Sequence, residues 1–379
     1  MTILIVTHSL STGGTDRVAV HLASGFARSA ATALLNVRKV SPASRLVELL
    51  DPAVERFSFE RQTGSRPLDL LLSVPRLVRL VRALRPEAIL ATGNNNSLFT
   101  LIGHLANPNR SGRFFVKITN PIVREKDKRW KRAFRRWLYD RVLSRAERIL
   151  VLSEGEGDVL RGLYPRLASR MTLVRNPYVT QAMLAGPAQA CSGGPYRFIA
   201  IGRLHRQKNL PLLLRAWAEA GCAEARLLIA GEGPQCAELM ALAASLGVAG
   251  TVEFLGYRTD IPDLLQSSQC LVLCSDYEGL PAVVLEALAS GKPVISTDCF
   301  PAARELVGTA PGCKVVPLRD RRALAEAIRD RIAAPMTEPD ALRQRVLPYT
   351  IDNAVASHLA AISGVDTIRG AVRPQPSGR

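Results

Sequence analysis

The sequence lacks several features that would place the protein in a particular class. No run of about 18 apolar residues exists, so no segment is a candidate membrane-spanning helix. The chain starts directly with a strand-like apolar run, and we expect no signal peptide. The first 190 residues contain no cysteine, and the seven cysteines (191, 222, 236, 270, 274, 299 and 313) have no metal-type spacing. This odd count and placement predict reduced, mostly buried thiols in a cytoplasmic protein.

Metal ligands are also scarce. The chain has no Asp-x-Asp cluster, and none of its five histidines belongs to a His, Cys and Glu set at ligand spacing. If the chemistry develops negative charge, side-chain cations and helix N-termini must neutralise it. The sequence therefore predicts a metal-independent site that needs no cofactor.

Acidic residues are few in the first half of the chain. The net charge is +17, and residues 1–180 carry 30 Lys and Arg against 14 Asp and Glu, whereas residues 181–379 carry 20 against 19. The excess is densest in residues 124–148. Within that stretch, aromatic and aliphatic residues recur at helical spacing between the cations: Trp130, Phe134, Trp137, Leu138 and Val142.

This basic amphipathic helix is typical of a segment that lies on an anionic membrane surface. Its apolar stripe could instead pack on its own domain, and a mixture of both is a further possibility. Nucleic acid is a third candidate partner, but no nucleic-acid-binding module accompanies the charge, and we expect none to bind.

Two glutamates mark the most informative segment of the second half. A buried strand is predicted at residues 270–274, a helix at 282–290 and another strand at 294–297. Glu278 lies in the loop after the first strand, where open parallel sheets bind ligands. Glu286 follows eight residues later, about two helical turns along the helix. A ligand that reaches both must extend from the loop down the helix.

A second strand–loop–helix unit begins near residue 198. Gly202 permits a turn, and Arg203 and Lys208 place two cations before a helix for which Asn209 is the predicted N-cap. Cations at the positive end of a helix suit a diphosphate. In the first half, Gly13 and Gly14 form a similar glycine turn before a helix predicted over residues 17–28.

Four motifs in order resemble the carboxyl-terminal half of a family 4 glycosyltransferase, a retaining enzyme of the GT-B type. They are Gly-Arg-Leu-x3-Lys-Asn at 202–209, Leu-Ile-Ala-Gly-Glu-Gly-Pro at 228–234, Val-Glu-Phe-Leu-Gly at 252–256 and Glu-x7-Glu at 278–286. The resemblance covers residues 197–308. It implies an α/β fold with two Rossmann-like domains facing across a cleft.

The resemblance also implies residue roles. Arg203 and Lys208, beside Gly202, would grip the diphosphate of a UDP- or GDP-linked sugar. Glu278 and the amides of Gly279 and Leu280 would hold the transferred sugar. Glu286 would bond the ribose, and Tyr257 would lie beside the nucleobase, while Gly13 and Gly14 would face the donor.

The chain departs from its family in one loop. Many relatives carry a histidine after the strand matched here by residues 114–118, and this chain has Thr119, Asn120 and Pro121 there. Either Asn120 replaces the histidine as a hydroxyl ligand, since its amide can hydrogen-bond but not transfer protons, or the sugar is held differently.

The predicted domains are an N-terminal acceptor domain (1–180), a linker (181–195) and a nucleotide-sugar domain (196–350). A helix (351–363) would return to the first domain before a disordered tail (364–379). We predict a cytoplasmic, peripheral membrane enzyme that transfers a sugar to a lipid-linked or envelope glycan at the inner face. The alternatives are a GT-B nucleotide-sugar epimerase, or an anionic-surface or nucleic-acid binding protein with a vestigial sugar site.

Overall fold

A computed structural model describes residues 1–11, 14–40, 44–123, 128–186, 194–334 and 338–364. The chain divides into two compact units. The first contains Met1–Leu152, Gly157–Pro177 and the described residues from Ile351 onward; the second contains Ser153–Glu156 and Tyr178–Thr350.

The first unit is built on a seven-stranded sheet in which every neighbouring pair is parallel. Its spatial order is β3-β2-β1-β4-β5-β6-β7. Strands β2 and β3 therefore lie on one side of β1, and β4 to β7 lie on the other, so the strand order reverses between β1 and β4. The central strands are buried on both faces, as a parallel sheet requires. The strands are β1 (Thr2–Thr7), β2 (Ala31–Arg38), β3 (Glu55–Arg61), β4 (Ala88–Ala91), β5 (Arg113–Lys117), β6 (Arg148–Val151) and β7 (Met171–Leu173).

Helices connect these strands as in a doubly wound fold. They are α1 (Gly14–Ala27), α2 (Arg66–Leu84), α3 (Asn94–Leu105), α4 (Arg129–Leu143) and α5 (Glu154–Leu163), and a 3₁₀ turn covers Pro165–Arg170. The strand-like run at the start of the chain forms β1, and the strand expected at residues 114–118 is present as β5, shifted by one residue. Helix α1 begins at Gly14, three residues earlier than expected, so the second glycine of the predicted turn lies in the helix.

The second unit holds a six-stranded sheet that is also parallel throughout. Its order is β10-β9-β8-β11-β12-β13, and β8 and β11 flank the point where the strand order reverses. Apolar side chains of the strands and of the helices beside them form its core. The strands are β8 (Arg197–Ile201), β9 (Arg226–Ala230), β10 (Val252–Gly256), β11 (Cys270–Leu273), β12 (Val294–Thr297) and β13 (Lys314–Val316).

Two helices of this unit lie where the sequence predicted them, after the loops that contain Lys208 and Glu278. Leu210–Ala220 forms the helix predicted to follow Asn209, and Ala282–Ala289 forms where a helix was predicted at 282–290. The full set is α6 (Gln181–Ala185), α7 (Leu210–Ala220), α8 (Cys236–Ser245), α9 (Ile261–Gln266), α10 (Ala282–Ala289), α11 (Arg321–Ala333) and α12 (Pro339–Val346), with short turns at Arg206–Lys208, Arg304–Gly308 and Leu347–Tyr349.

The last helix belongs to the first unit. α13 (Ile351–Ser363) packs on α1: Arg28 and Asp352 form an ion pair at 3.0 Å, and a Cβ on Gly25 would lie 2.3 Å from the side chain of Val355. Earlier in the chain, the stretch predicted as a linker at 181–195 begins with helix α6, which Thr180 caps by accepting a bond from the Met183 amide. Residues 187–193 and 365–379 lie outside the described residues.

Candidate functional site

The loops that follow β8 and β11 bring two predicted site residues into contact. The Lys208 ammonium lies 2.8 Å from Oε1 of Glu278, and both side chains are largely buried. The strands are hydrogen-bonded neighbours, and their carboxyl ends flank the reversal of strand order. Open parallel sheets bind ligands at such a position. The contact joins residues that are 70 positions apart in the sequence.

Two further side chains hold the Glu278 carboxylate. Ser275 Oγ donates to Oε1 at 2.7 Å, and Gln207 Nε2 donates to Oε2 at 3.4 Å and to the Tyr277 carbonyl at 2.9 Å. Oε1 thus accepts two short bonds, whereas Oε2 has one long contact. Oε2 is therefore the oxygen best able to accept a hydrogen bond from a ligand. Neither Ser275 nor Gln207 was among the predicted site residues.

Asp276, in the loop after β11, also connects that loop to the loop after β8. Its carboxylate accepts from Asn209 Nδ2 at 3.1 Å and from Arg319 Nε and Nη2 at 3.0 and 3.1 Å. Asn209 and Arg319 both have left-handed backbones, with φ of 47° and 61°. The prediction that Asn209 caps α7 is corrected: it occupies the N-cap position, but its side chain bonds Asp276 instead of a helix amide, because the left-handed backbone turns it away.

Glycines allow the loops after β8 and β9 to touch. A Cβ on Gly231, whose φ is 143°, would lie 2.0 Å from the Gly202 carbonyl oxygen. The Gly202 amide donates to Ala230 O, and the Leu204 amide donates to Glu232 O. Gly202 itself has φ of 150° and lies against the Lys208 side chain. Any larger residue at 231 would separate the backbones that position Lys208.

The remaining predicted residues of this unit lie at the same sheet edge or one helix away. Arg203 is exposed, and in the described chain its guanidinium has no partner. The Gly279 and Leu280 amides likewise donate to no acceptor within the described residues. Glu286 is buried on α10, and Tyr257 is exposed after β10, its amide donating to Glu232 at 3.4 Å.

In the first unit, Gly14 is the first residue of α1, and Gly13 lies outside the described residues. Asn120 is exposed, and its carbonyl accepts from Asn94 Nδ2 at 2.6 Å. Asn94 Oδ1 also accepts from the Thr119 amide at 2.8 Å. Asn94, which begins α3, therefore fixes the loop that contains Asn120 and leaves the Asn120 side chain pointing outward.

Helix α4 exposes three of its four aromatic residues. Trp130, Phe134 and Trp137 are 64%, 54% and 54% exposed, whereas the buried residues of α4 are Tyr139, Val142 and Leu143. The alternative in which the whole stripe packs on its own domain is therefore wrong; only its carboxyl-terminal turn packs inward. Cations lie over the rings, with Lys131 5.9 Å from the Trp130 centroid and Arg141 5.5 Å from that of Trp137.

The buried thiols of Cys274 and Cys299, near the site, are poor nucleophiles. Burial raises the pKa of Cys274 to about 12 and that of Cys299 to about 11, and the six cysteines in the described part of the chain are unpaired. Across those same residues, no three His, Cys, Asp or Glu side chains group in a way that could hold a metal ion. None of the described helices has both the length and the apolarity to cross a membrane.

Two all-parallel, doubly wound sheets, one with a Lys–Glu pair at its point of strand reversal, match the two Rossmann-like domains of GT-B glycosyltransferases. Family models agree in both halves. A "Glycosyl transferase 4-like domain" matches residues 13–177, and "Glycosyl transferases group 1" matches residues 195–333. Together they account for most of the chain, which belongs to family 4 of the glycosyltransferases.

Individual relatives are more distant. An uncharacterized glycosyltransferase of Methanocaldococcus jannaschii is 25% identical over 64% of this chain and 63% of its own length. The N-acetylgalactosamine-N,N'-diacetylbacillosaminyl-diphospho-undecaprenol 4-alpha-N-acetylgalactosaminyltransferase of Campylobacter jejuni is 30% identical over 38% of each chain. The chain thus spans less than two thirds of these relatives. The structure of Anabaena HepE with UDP and glucose shares the fold, with a TM-score of 0.75, 17% identity and coverage of 96% of this chain and 100% of that one.

Proposed function

We propose that this glycosyltransferase is a retaining, metal-independent hexosyltransferase that uses a UDP- or GDP-linked sugar. The observation that carries the proposal is the Lys208–Glu278 pair, which places a cation and a carboxylate 2.8 Å apart where β8 and β11 end. Cleavage of a glycosyl–phosphate bond develops negative charge on the diphosphate and positive charge near the anomeric carbon. One cation and one carboxylate complement these two charges.

Lys208 and Arg203 act on the leaving group in this proposal. Lys208 is held between Glu278 and the Gly202 backbone, so its ammonium is positioned before a ligand arrives. Arg203, exposed and without a partner in the described chain, is free to turn toward the diphosphate. Their charge lowers the energy of the departing diphosphate without a metal ion.

Glu278 acts on the transferred sugar. Three side chains donate to its carboxylate, so it serves as a hydrogen-bond acceptor and a fixed negative charge, and we do not assign it as a nucleophile. Oε2 would accept from a sugar hydroxyl, and the Gly279 and Leu280 amides would donate to sugar oxygens. Glu286 would bind the ribose, Tyr257 would lie beside the base, and Gly13, Gly14 and Asn120 would complete the donor site.

A panel of nucleotide sugars tests the donor assignment. A donor present at a hundred times its dissociation constant should stabilise the protein by about 2.7 kcal/mol, and thermal unfolding measures this directly. Slow hydrolysis of the same donor without acceptor, with no epimer formed, supports transfer. Accumulation of an epimer would instead establish the epimerase alternative, and an absence of any stabilising nucleotide sugar would contradict the donor site.

Metal chelation gives a second prediction. Activity should persist in EDTA, because Arg203 and Lys208 supply the charge that a divalent cation would otherwise provide. The measurement compares turnover in EDTA with turnover in added magnesium or manganese. A strict requirement for either ion would contradict the assigned role of the two cations.

The proposed acceptor is a lipid-linked or envelope glycan at the inner face of the cell membrane. The name of the Campylobacter relative specifies a diphospho-undecaprenol-linked acceptor, which supports an acceptor of this kind. Exposed tryptophans and cations on α4 support peripheral attachment to anionic lipid, since such helices lie in the interface.

Vesicle binding should therefore depend on the charge of α4. The wild-type protein should bind anionic vesicles and be released as salt rises, since each surface cation contributes about 1 kcal/mol to the attraction. Replacing five cations with Gln should abolish sedimentation with vesicles and leave nucleotide-sugar binding intact: Lys128, Lys131, Arg132, Arg135 and Arg136.

A control of equal charge makes this result specific. Five exposed arginines outside α4 can be changed to Gln together: Arg56, Arg110, Arg215, Arg322 and Arg329. This control should retain most vesicle binding. Equal loss in both variants would show that net charge alone causes adsorption, and preferential binding to nucleic acid at matched ionic strength would support the nucleic-acid alternative.

A further inference from the structure

Exposed apolar side chains in the first unit are concentrated on three adjacent helices. Across its described residues, nine of the twelve exposed large apolar side chains lie on α2, α3 and α4, and the other three are Met1, Leu49 and Val159. The nine are Leu68, Leu71, Leu72, Leu98, Ile102, Leu105, Trp130, Phe134 and Trp137. Concentrated exposed apolar surface of this kind marks an interaction site.

These helices cover the same face of the sheet. The connections β3–α2–β4, β4–α3–β5 and β5–α4–β6 all move in one direction across the sheet, whereas β1–α1–β2 moves in the other. Because parallel crossovers are right-handed, α2, α3 and α4 lie on one face, and α1 lies on the opposite face with α13 packed on it. α2 packs on α3, and α3 packs on α4.

The side chains point outward from this helical layer. Leu98, Ile102 and Leu105 recur at helical spacing on α3, and buried residues such as Phe99 and Leu101 face inward. On α2, the exposed leucines alternate with buried Asp69 and Ser73. The nine residues therefore belong to one outer surface, which we call the α2–α4 face.

The charge of the α2–α4 face has one sign. Exposed cations flank the apolar residues at Arg76, Arg79 and Arg82 on α2 and throughout α4. The acidic residues of these helices are few: Asp69 is buried, and Asp140, half-buried, pairs with Arg166. No exposed acidic side chain interrupts the described part of this surface.

We propose that the whole α2–α4 face lies on the anionic bilayer, with the leucines of α2 and α3 entering below the headgroups beside the tryptophans of α4. This proposal rests on the membrane attachment assigned above to α4. Mixed apolar and cationic surface without acids complements an anionic lipid interface. A second copy would present the same positive charge and be repelled, and leucines contribute nothing toward a phosphate backbone.

Tryptophan quenching by brominated lipid tests the depth of each helix. When Trp130 and Trp137 are changed to Phe, the remaining tryptophan is Trp217, which is buried in the second unit and 2% exposed. In that background, Leu105→Trp or Leu71→Trp adds a probe to the α2–α4 face. Ala356→Trp adds a matched probe at an exposed position of α13, on the opposite face.

The expected result is strong quenching of the probes at 105 and 71 and none at 356. Quenching of wild-type Trp130 and Trp137 without quenching at 105 and 71 would overturn the extended face while leaving the α4 attachment intact. Equal quenching at 356 would show unoriented adsorption, which overturns the proposal. Failure of the wild-type protein to bind vesicles would overturn both assignments.

A second set of variants measures the contribution of α3. Leu98→Ser, Ile102→Ser and Leu105→Ser together should weaken partition into anionic vesicles about tenfold or more, because apolar area no longer leaves water. This loss should persist at high salt, unlike the loss caused by removing α4 cations. Unchanged partition, with thermal unfolding and nucleotide-sugar binding preserved, would contradict the proposal. A dimer that buries the α2–α4 face in the absence of lipid would also contradict the proposal.

Discussion

Lys208→Ala should lower turnover by about a hundredfold or more, which is the typical cost of removing one electrostatic contact to a transition state. Two effects combine in this variant. The diphosphate loses a cation at the moment its charge develops, and Glu278 Oε1 loses a donor at 2.8 Å. Steady-state kinetics with saturating donor isolates the effect on turnover from the effect on affinity.

Arg203→Ala should produce a loss of the same order for a simpler reason. Its guanidinium contacts no other group in the described part of the chain, so the substitution removes charge without disturbing the loop. Arg206→Ala is the matched control, because Arg206 is an exposed cation in the same loop that we assign no role. If Arg203→Ala and Lys208→Ala turned over donor as fast as Arg206→Ala, the assignment of the two cations to the diphosphate would be wrong.

Local patterns and the family resemblance together predicted the fold. Short apolar runs such as Phe198–Ile201 favour buried strands when predicted helices alternate with them, and that alternation favours a parallel sheet. The prediction of an α/β fold with two Rossmann-like domains is confirmed. The end of α10 was also predictable: the helix ends at Ala289, one residue before its expected bound, and Gly291, with φ of 70°, follows it.

Some contacts of the site could not be predicted because they depend on distant residues. Asp276 meets Arg319 across 43 positions, and nothing near Arg319 indicates that its backbone is left-handed. The same backbone state at Asn209 removes a capping bond that its residue type favours. Ser275 differs: it lies only three residues before Glu278, so a hydrogen bond from its hydroxyl to the carboxylate could have been expected from the spacing.

Helical periodicity alone could not show whether the α4 stripe faces the core or solvent. Trp130 and Val142 belong to the same pattern, yet one is 64% exposed and the other 2%. The distinction depends on how far α4 extends beyond the elements it packs against, which is a property of the tertiary structure. The leucines of α2 and α3 were missed for the same reason, since apolar helix residues in an α/β fold are ordinarily buried.

Changing Glu278 to Gln should mainly lower turnover, whereas changing Glu286 to Gln should mainly weaken nucleotide binding. Glu278→Gln keeps the shape but removes the charge that faces Lys208 and the sugar, so turnover should fall about a hundredfold. Affinity for the free nucleoside diphosphate should hold or rise, because Lys208 no longer pairs with a carboxylate and is released to the phosphates. Kinetics and calorimetry with UDP and GDP measure the two quantities separately.

Glu286→Gln should instead weaken binding of the nucleoside diphosphate itself, with a smaller effect on turnover at saturating donor. Glu286 lies buried on α10, about one turn from the start of that helix at Ala282, and we assign it to the ribose and not to the reacting bond. Because the position is buried, thermal unfolding must first show that the variant is folded. Equal loss of nucleoside diphosphate affinity in both variants would overturn the division of roles. A nucleoside diphosphate carries no sugar, so a residue that contacts only the sugar has no contact to lose in that complex.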